Sequence, residues 1–242
     1  MNTKLSKIMK DMTPTYTFKL PLSKKTIKYR PFLVKEERIL ADAQAKKNPT
    51  VKDEYTMLRQ IISNCTDLED IESLMLCELE LIFLKLRSKS MGNKVSIPHT
   101  PEGEEESIML DIDLDTVEIS GEVPDSKILI DDKIGIMISP PTLSTLLAVD
   151  SKINSSDLKN NFTEILNIIE NSIKEIFTED EIINTEELSS KDLKSFVENL
   201  PTSAMEKITE YFDNIPALKQ EVKYKVGNKT KTVTLQGLDS FV

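Results

Sequence analysis

Arg30-Pro31-Phe32-Leu33-Val34-Lys35-Glu36-Glu37-Arg38 is where this chain turns from extended to helical patterning. Pro31 disfavours helix at Arg30 and fixes φ where the backbone must change direction. Upstream, Tyr16 to Leu20 and Thr26 to Tyr29 read as two short strands around a turn from Pro21 to Lys25. Tyr16, Phe18 and Leu20 share one face, and Ile27 and Tyr29 face them from the partner strand. Downstream, a first helix is expected from about Val34 to Ala45, stopped by Asn48-Pro49. A second covers about Lys52 to Asn64, with Tyr55, Leu58, Ile61 and Ile62 on its apolar side.

Working further outward, Asp67 suits an N-cap, with Asp70 three residues later in the manner of a capping box. The third helix, Asp67 to Leu86, is apolar nearly all round, so it is expected to be the core of the N-terminal half. Lys85, Arg87 and Lys89 suit its C-terminal dipole, and Gly92 its stop. From Lys94 to Ile138 the period changes to two, through Val95, Ile97, Ile108, Leu110, Ile112, Leu114, Val117 and Ile119, which predicts strands. Lys127 to Ile138 continues the pattern with a turn at Asp131-Asp132, and Leu143 to Val149 forms a short helix.

Leu158, Phe162, Ile165, Leu166, Ile169, Ile173, Ile176 and Phe177 then follow helical spacing, predicting one amphipathic helix over 155–178 capped by Ser155 or Ser156. Helices over about Ser190 to Asn199 and from Pro201 to Phe212 follow. Gln220 to Val226 and Thr230 to Leu235 flank Gly227-Asn228-Lys229, a hairpin signal, and Leu238 and Phe241 are expected to tuck the end onto the body. The expected class is α+β: an N-terminal β-hairpin, a mainly helical body, a β-rich insert, C-terminal helices and a closing β-hairpin. Four segments are read: a basic arm over 1–15, a strand pair and helical core over 16–92, an acidic β-rich insert over 93–141, and a helical part with the terminal hairpin over 142–242.

Net charge is −10, yet residues 1–30 carry eight Lys or Arg against the single acid Asp11. So acidic a chain argues against nucleic-acid binding, which normally needs a basic patch. No apolar run approaches the roughly 18 residues of a membrane span. Cys65 and Cys77 with no signal peptide point to a reducing, cytoplasmic setting and to buried free thiols.

Catalytic constellations fail in turn. Nucleophilic triads need a histidine, and His99 is the only one, in an acidic stretch read as a surface loop. Two cysteines and one histidine do not make a zinc set. Asp111, Asp113, Asp115 and Glu122 have calcium-loop spacing, but Thr116 stands where that loop needs glycine. No glycine-rich phosphate loop exists among six glycines. Glu78 and Glu80, on the buried helix, need partners, and Arg30, Lys35 or Arg38 are the candidates. No catalytic residue, metal ligand or cofactor is therefore assigned. What remains is interaction surface, with Phe162, Ile165, Ile169 and Ile173 as the candidate partner-binding stripe, core packing being the competing reading.

Four stretches resemble the T4-type bacteriophage baseplate proteins, the family of hub subunits and hub-assembly catalysts. They are Tyr29-Arg30-Pro31-Phe32-Leu33-Val34-Lys35-Glu36-Glu37, Leu84-Lys85-Leu86-Arg87-Ser88-Lys89-Ser90-Met91-Gly92, Phe196-Val197-Glu198-Asn199-Leu200-Pro201 leading through Ile208-Thr209-Glu210-Tyr211-Phe212 to Ile215-Pro216-Ala217-Leu218, and Leu235-Gln236-Gly237-Leu238-Asp239-Ser240-Phe241-Val242. Arg30, Pro31, Phe32, Arg87, Gly237, Leu238 and Phe241 carry the motif. Relatives often hold a Cys-x-x-Cys pair in the insert. Pro98 to Ser107 and Gly227 to Lys229 contain none, so a metal role does not carry over. The resemblance implies a non-enzymatic hub component or chaperone-like assembly factor, partnered by hub proteins, in host cytoplasm during infection or in the virion baseplate. An acidic adaptor unrelated to tails is the alternative reading of the same surface.

Overall fold

The computed structural model describes residue 8 and residues 12–148, 161–227 and 229–241. These form seven helices and eleven strands in small sheets, an α+β protein opening with the expected hairpin. The chain divides into two compact units: one of residues up to 42, 58–120 and from 217 onward, the other of 43–57 and 121–216. The stretch 93–141, read above as one insert, is thus shared between them, and the terminal hairpin returns to the first.

In the first unit, β1 (Tyr16–Lys19) and β2 (Thr26–Tyr29) pair antiparallel with Tyr16 opposite Tyr29 and Phe18 opposite Ile27. Helices α1 (Val34–Gln44) and α2 (Val51–Cys65) follow, each divided at the unit boundary. Helix α3 (Leu76–Met91) buries Cys77, Glu78, Leu79, Leu81, Ile82, Phe83, Leu84 and Leu86, which accounts for its apolar character on nearly every side. It starts nine residues later than the sequence predicts. Asp67 is no helix cap: its Oδ1 accepts the Lys28 N–H at 2.7 Å and its own N–H donates to Lys28 O at 3.1 Å, tying it to β2. Asp70 likewise serves a local turn, accepting the Ser73 N–H.

Strands β3 (Lys94–His99) and β4 (Ile108–Asp113) form a hairpin. Strand β5 (Glu118–Ser120) pairs with β10 (Ala217–Val226), which pairs with β11 (Lys229–Gln236). Chain exit at Ser120 and return at Ala217 are therefore opposite each other in one ladder. The core here gathers Leu81, Leu84, Ile112, Leu114, Val117, Leu218, Leu235 and Phe241. Phe241, the expected terminal tuck, is fully buried.

The second unit holds a four-stranded sheet in the order β6 (Lys127–Leu129), β7 (Gly135–Ile138), β8 (Ile173–Phe177), β9 (Ile182–Asn184). Helices α4 (Leu143–Ala148), α5 (Phe162–Ser172), α6 (Ser190–Glu198) and α7 (Thr202–Asp213) complete it. Ile128, Ile136, Ile138, Ile173 and Ile176 from the sheet meet Ile169, Val197, Ile208 and Tyr211 from the helices in one core. The helix predicted over 155–178 is corrected here: α5 ends at Ser172 and Ile173–Phe177 is a strand. Asn161 caps α5, accepting the Glu164 N–H, whereas Ser155, Ser156 and Leu158 lie outside the described residues.

Candidate functional site

Arg30 sits where β2 ends, α1 begins and α2 ends. Its backbone N–H donates to Cys65 O at 2.9 Å, and its Nη2 donates to Asn64 O at 2.7 Å. A cation at these last carbonyls of α2 is favoured by the helix dipole. The same guanidinium donates to both oxygens of Glu36, Nη1 to Oε2 at 3.1 Å and Nη2 to Oε1 at 3.2 Å. Glu36 is fully buried, and its Oε2 also accepts the Leu33 N–H at 2.9 Å, so it caps its own helix backwards. Burial pushes the Glu36 carboxyl up, but the Arg30 and Leu33 hydrogen bonds with the charges of Arg30 and Lys35 outweigh it and hold it below the usual range.

Sequence reasoning offers Arg30, Lys35 or Arg38 as partners for Glu78 and Glu80 and misses the Arg30–Glu36 pair. The signal was present: Glu36 stands three residues after Leu33, the spacing of a reaching-back N3 glutamate. Glu78 instead accepts the N–H groups of Leu22 and Ser23 at 2.8 and 2.9 Å, pinning the β1–β2 turn to α3. Glu80 packs against the terminal turn over Leu238–Ser240. Burial, then the Asp239 carboxylate, pushes its carboxyl up to about 7, against a backbone hydrogen bond from Leu238.

The other motif residues divide by role. Phe32 donates its N–H to Ser90 Oγ at 2.7 Å and lies 6.0 Å, ring to ring, from Phe83, locking the start of α1 to α3. Gly237 has φ of 76°, which its position before the terminal turn requires, and its N–H bonds Leu218 O at 3.0 Å. Arg87 is half-buried, with its pKa lowered by burial, and has no hydrogen-bond or ion-pair partner among the described residues. Pro31 O accepts from Arg30 Nη1 at 3.0 Å.

The proposed stripe does not stay together on one surface. Ile169 and Ile173 are 2% exposed and belong to the second core, and Ile165 packs against it half-buried. Phe162, at the first turn of α5, is 65% exposed. A shallow groove along α7, lined by Thr202, Met205, Glu206, Thr209, Glu210, Asp213 and Asn214, is a second open apolar-acidic surface.

His99 is not a loop residue: it ends β3 opposite Ile108, edge-on to the Tyr224 ring at 5.0 Å, and its Nε2 is buried without a hydrogen-bond partner among the described residues. Asp111 accepts from Ser96, Asp113 from Asn93 and the Asp115 N–H, and Asp115 from Ser88, so the calcium-like triplet is engaged with protein donors. Among the described residues, no group of three or more His, Cys, Asp or Glu is placed to hold a metal ion, and no helix is long and apolar enough to cross a membrane. Cys65 and Cys77 are free and buried, and burial pushes the thiols up to about 11 and about 12.

No curated protein and no solved structure matches the chain. The family described as T4 bacteriophage base plate protein matches residues 13–242, so the second unit, the first unit from residue 13 onward and every motif residue named above fall within it. The chain belongs to the T4 bacteriophage base plate protein family.

Proposed function

We propose that this baseplate protein acts in building the baseplate hub, as a hub subunit or a chaperone-like assembly factor, through protein–protein contacts and without covalent chemistry. The observation that carries this reading is family membership across nearly the whole chain, which makes other baseplate proteins its natural partners. The resemblance of the four sequence stretches to hub subunits and hub-assembly factors favours the hub among baseplate locations. Neither nucleic acid nor membrane is a partner in this reading, in keeping with a net charge of −10. The protein meets its partners in the host cytoplasm during infection.

Phe162 is the member of the candidate stripe that offers a large exposed apolar side chain, on a helix anchored from beneath by Ile169. Ile165, Ile169 and Ile173 contribute by holding that helix and sheet in place.

Quantitative mass spectrometry of purified virions and of assembly intermediates from infected cells tests the reading. A fixed copy number in virions makes the protein a hub subunit; presence confined to intermediates makes it an assembly factor. Absence from both, in cells that express it, overturns the hub reading.

A further inference from the structure

Side chains alternate across the four-stranded sheet of the second unit. Ile128, Ile136, Ile176 and Ile183 form one cross-strand row, whose first three members enter the core. The adjacent row, Leu129–Gly135–Phe177–Ile182, points the opposite way. Leu129 is 50% and Ile182 69% exposed. Between them the half-buried Phe177 ring lies over Gly135, where an added Cβ would come 2.2 Å from Phe177 Cζ, and Lys127 Nζ stands 4.8 Å from the ring centroid. Isolated exposed apolar residues are ordinary; Leu129, Phe177 and Ile182, from three strands of one sheet face, together make a larger apolar surface of the kind that marks an interaction site.

This row is the last before the β6–β7 and β8–β9 turns, which share one end of the sheet because β7 begins and β8 ends there. The turns expose Asp131, Asp132, Glu179, Asp180 and Glu181 against Lys133. With Lys127 on its inner side and five carboxylates at its turn end, the row fits an apolar segment whose lysines reach the turns.

Such a segment opens this chain. Leu5, Ile8, Met9 and Met12 have i, i+3, i+4, i+7 spacing, and Lys4, Lys7 and Lys10 accompany them against Asp11 alone. Ile8 and Met12, joined by a Met12 N–H to Ile8 O hydrogen bond of 3.1 Å, are 55% and 76% exposed. Ile8 and Met12 of the arm and Leu129 and Ile182 of the sheet are each exposed, and a second copy can cover them. We propose that residues 1–12 of one copy dock on the Leu129–Phe177–Ile182 row of a second, with the lysines meeting the acidic turns. Arm and sheet are different surfaces, so the contact is head-to-tail and either closes a ring or extends a chain of copies. The inference goes beyond the hub reading and does not depend on it.

Sedimentation of the full chain between about 1 and 100 μM tests it. The expected result is concentration-dependent association, weakened at least tenfold by Leu129→Ser with Ile182→Ser, by Lys4, Lys7 and Lys10→Gln, and by about 0.5 M salt. A synthetic peptide of residues 1–14 should dissociate the oligomer and slow amide exchange in 127–137 and 173–184. A chain that stays monomeric, or association that both variant sets leave unchanged, overturns the proposal. Protection of the sheet by the arm within a monomer overturns it too. Virion counts remain a separate readout, so a hub protein that does not self-associate defeats this inference alone.

Discussion

The Arg30 guanidinium holds the fully buried Glu36 carboxylate by two hydrogen bonds, at 3.1 and 3.2 Å, while donating to Asn64 O. One side chain therefore ties a strand end, a helix start and a helix end. Removing it leaves a buried carboxylate without its cation, which costs about 3–5 kcal/mol. Arg30→Ala is expected to lower the stability of the first unit by that order in urea titrations followed by amide exchange. Glu36→Gln should cost less, because it leaves no buried charge. Since the folded Glu36 carboxyl lies below its unfolded value, its contribution is present above the ordinary glutamate range and is lost as pH falls through the folded value. The stability of Glu36→Gln should therefore fall less on acidification than that of the parent.

Glu80 has the opposite sign. Its carboxyl is raised to about 7 beside Asp239 and the terminal turn, so the folded state binds this proton more tightly than the unfolded state does. Stability from this group is full below the ordinary glutamate value and declines as pH rises through about 7. The change is on the order of 1–3 kcal/mol. Glu80→Gln should flatten the denaturation midpoint between pH 5 and pH 8, whereas Glu80→Leu should also weaken docking of Leu238–Ser240, measured by carboxy-terminal proteolysis.

Gly135 has no room for a side chain, with Phe177 Cζ 2.2 Å and Ile128 O 2.9 Å from where a Cβ would stand. Gly135→Ala must displace the ring or the strand and is expected to cost about 1–3 kcal/mol. Gly103, with nothing within 4 Å of its Cβ position, is the control for added bulk, although its φ of 85° adds backbone strain. Thermal unfolding of the two variants separates packing from conformational cost: Phe177 side-chain shifts should move only in Gly135→Ala.

Along the Phe162–Ile173 stripe, which runs from α5 into β8, burial and exposure predict opposite outcomes. Ile169→Asp and Ile173→Asp place an unpaired charge in the second core and should unfold that unit, at more than about 4 kcal/mol. Phe162→Ser alters an exposed position and should change stability by less than about 1 kcal/mol. If Phe162 meets a partner, co-purification with baseplate proteins drops while circular dichroism is unchanged.

Local chemistry was legible wherever periodicity and punctuation agreed. Pro31 at a strand-to-helix junction, the helix before Asn48-Pro49, the hairpin around Gly227 and the buried end at Phe241 follow from residue type and spacing alone. Long-range pairing was not legible. Ile173 and Ile176, three residues apart, look helical, yet they face the same core from a strand, because the ladder shifts register between Met137 and Ile138 and pairs them with Ile138 and Ile136. A bulge of one residue thus imitates a helical period. Asp67 reads as a cap until Lys28, 39 residues earlier, takes its carboxylate. Arg30 could pair with any acid near it, and only the packing of α1 and α2 against the end of β2 chose Glu36. Most element types, the charge balance and the family are legible in residue order alone; the tertiary structure decided the strand at Ile173–Phe177, which partner each polar group found and which apolar face was covered. Helix and turn signals are local, whereas a buried charge or a sheet register is settled by residues that the chain brings together only on folding.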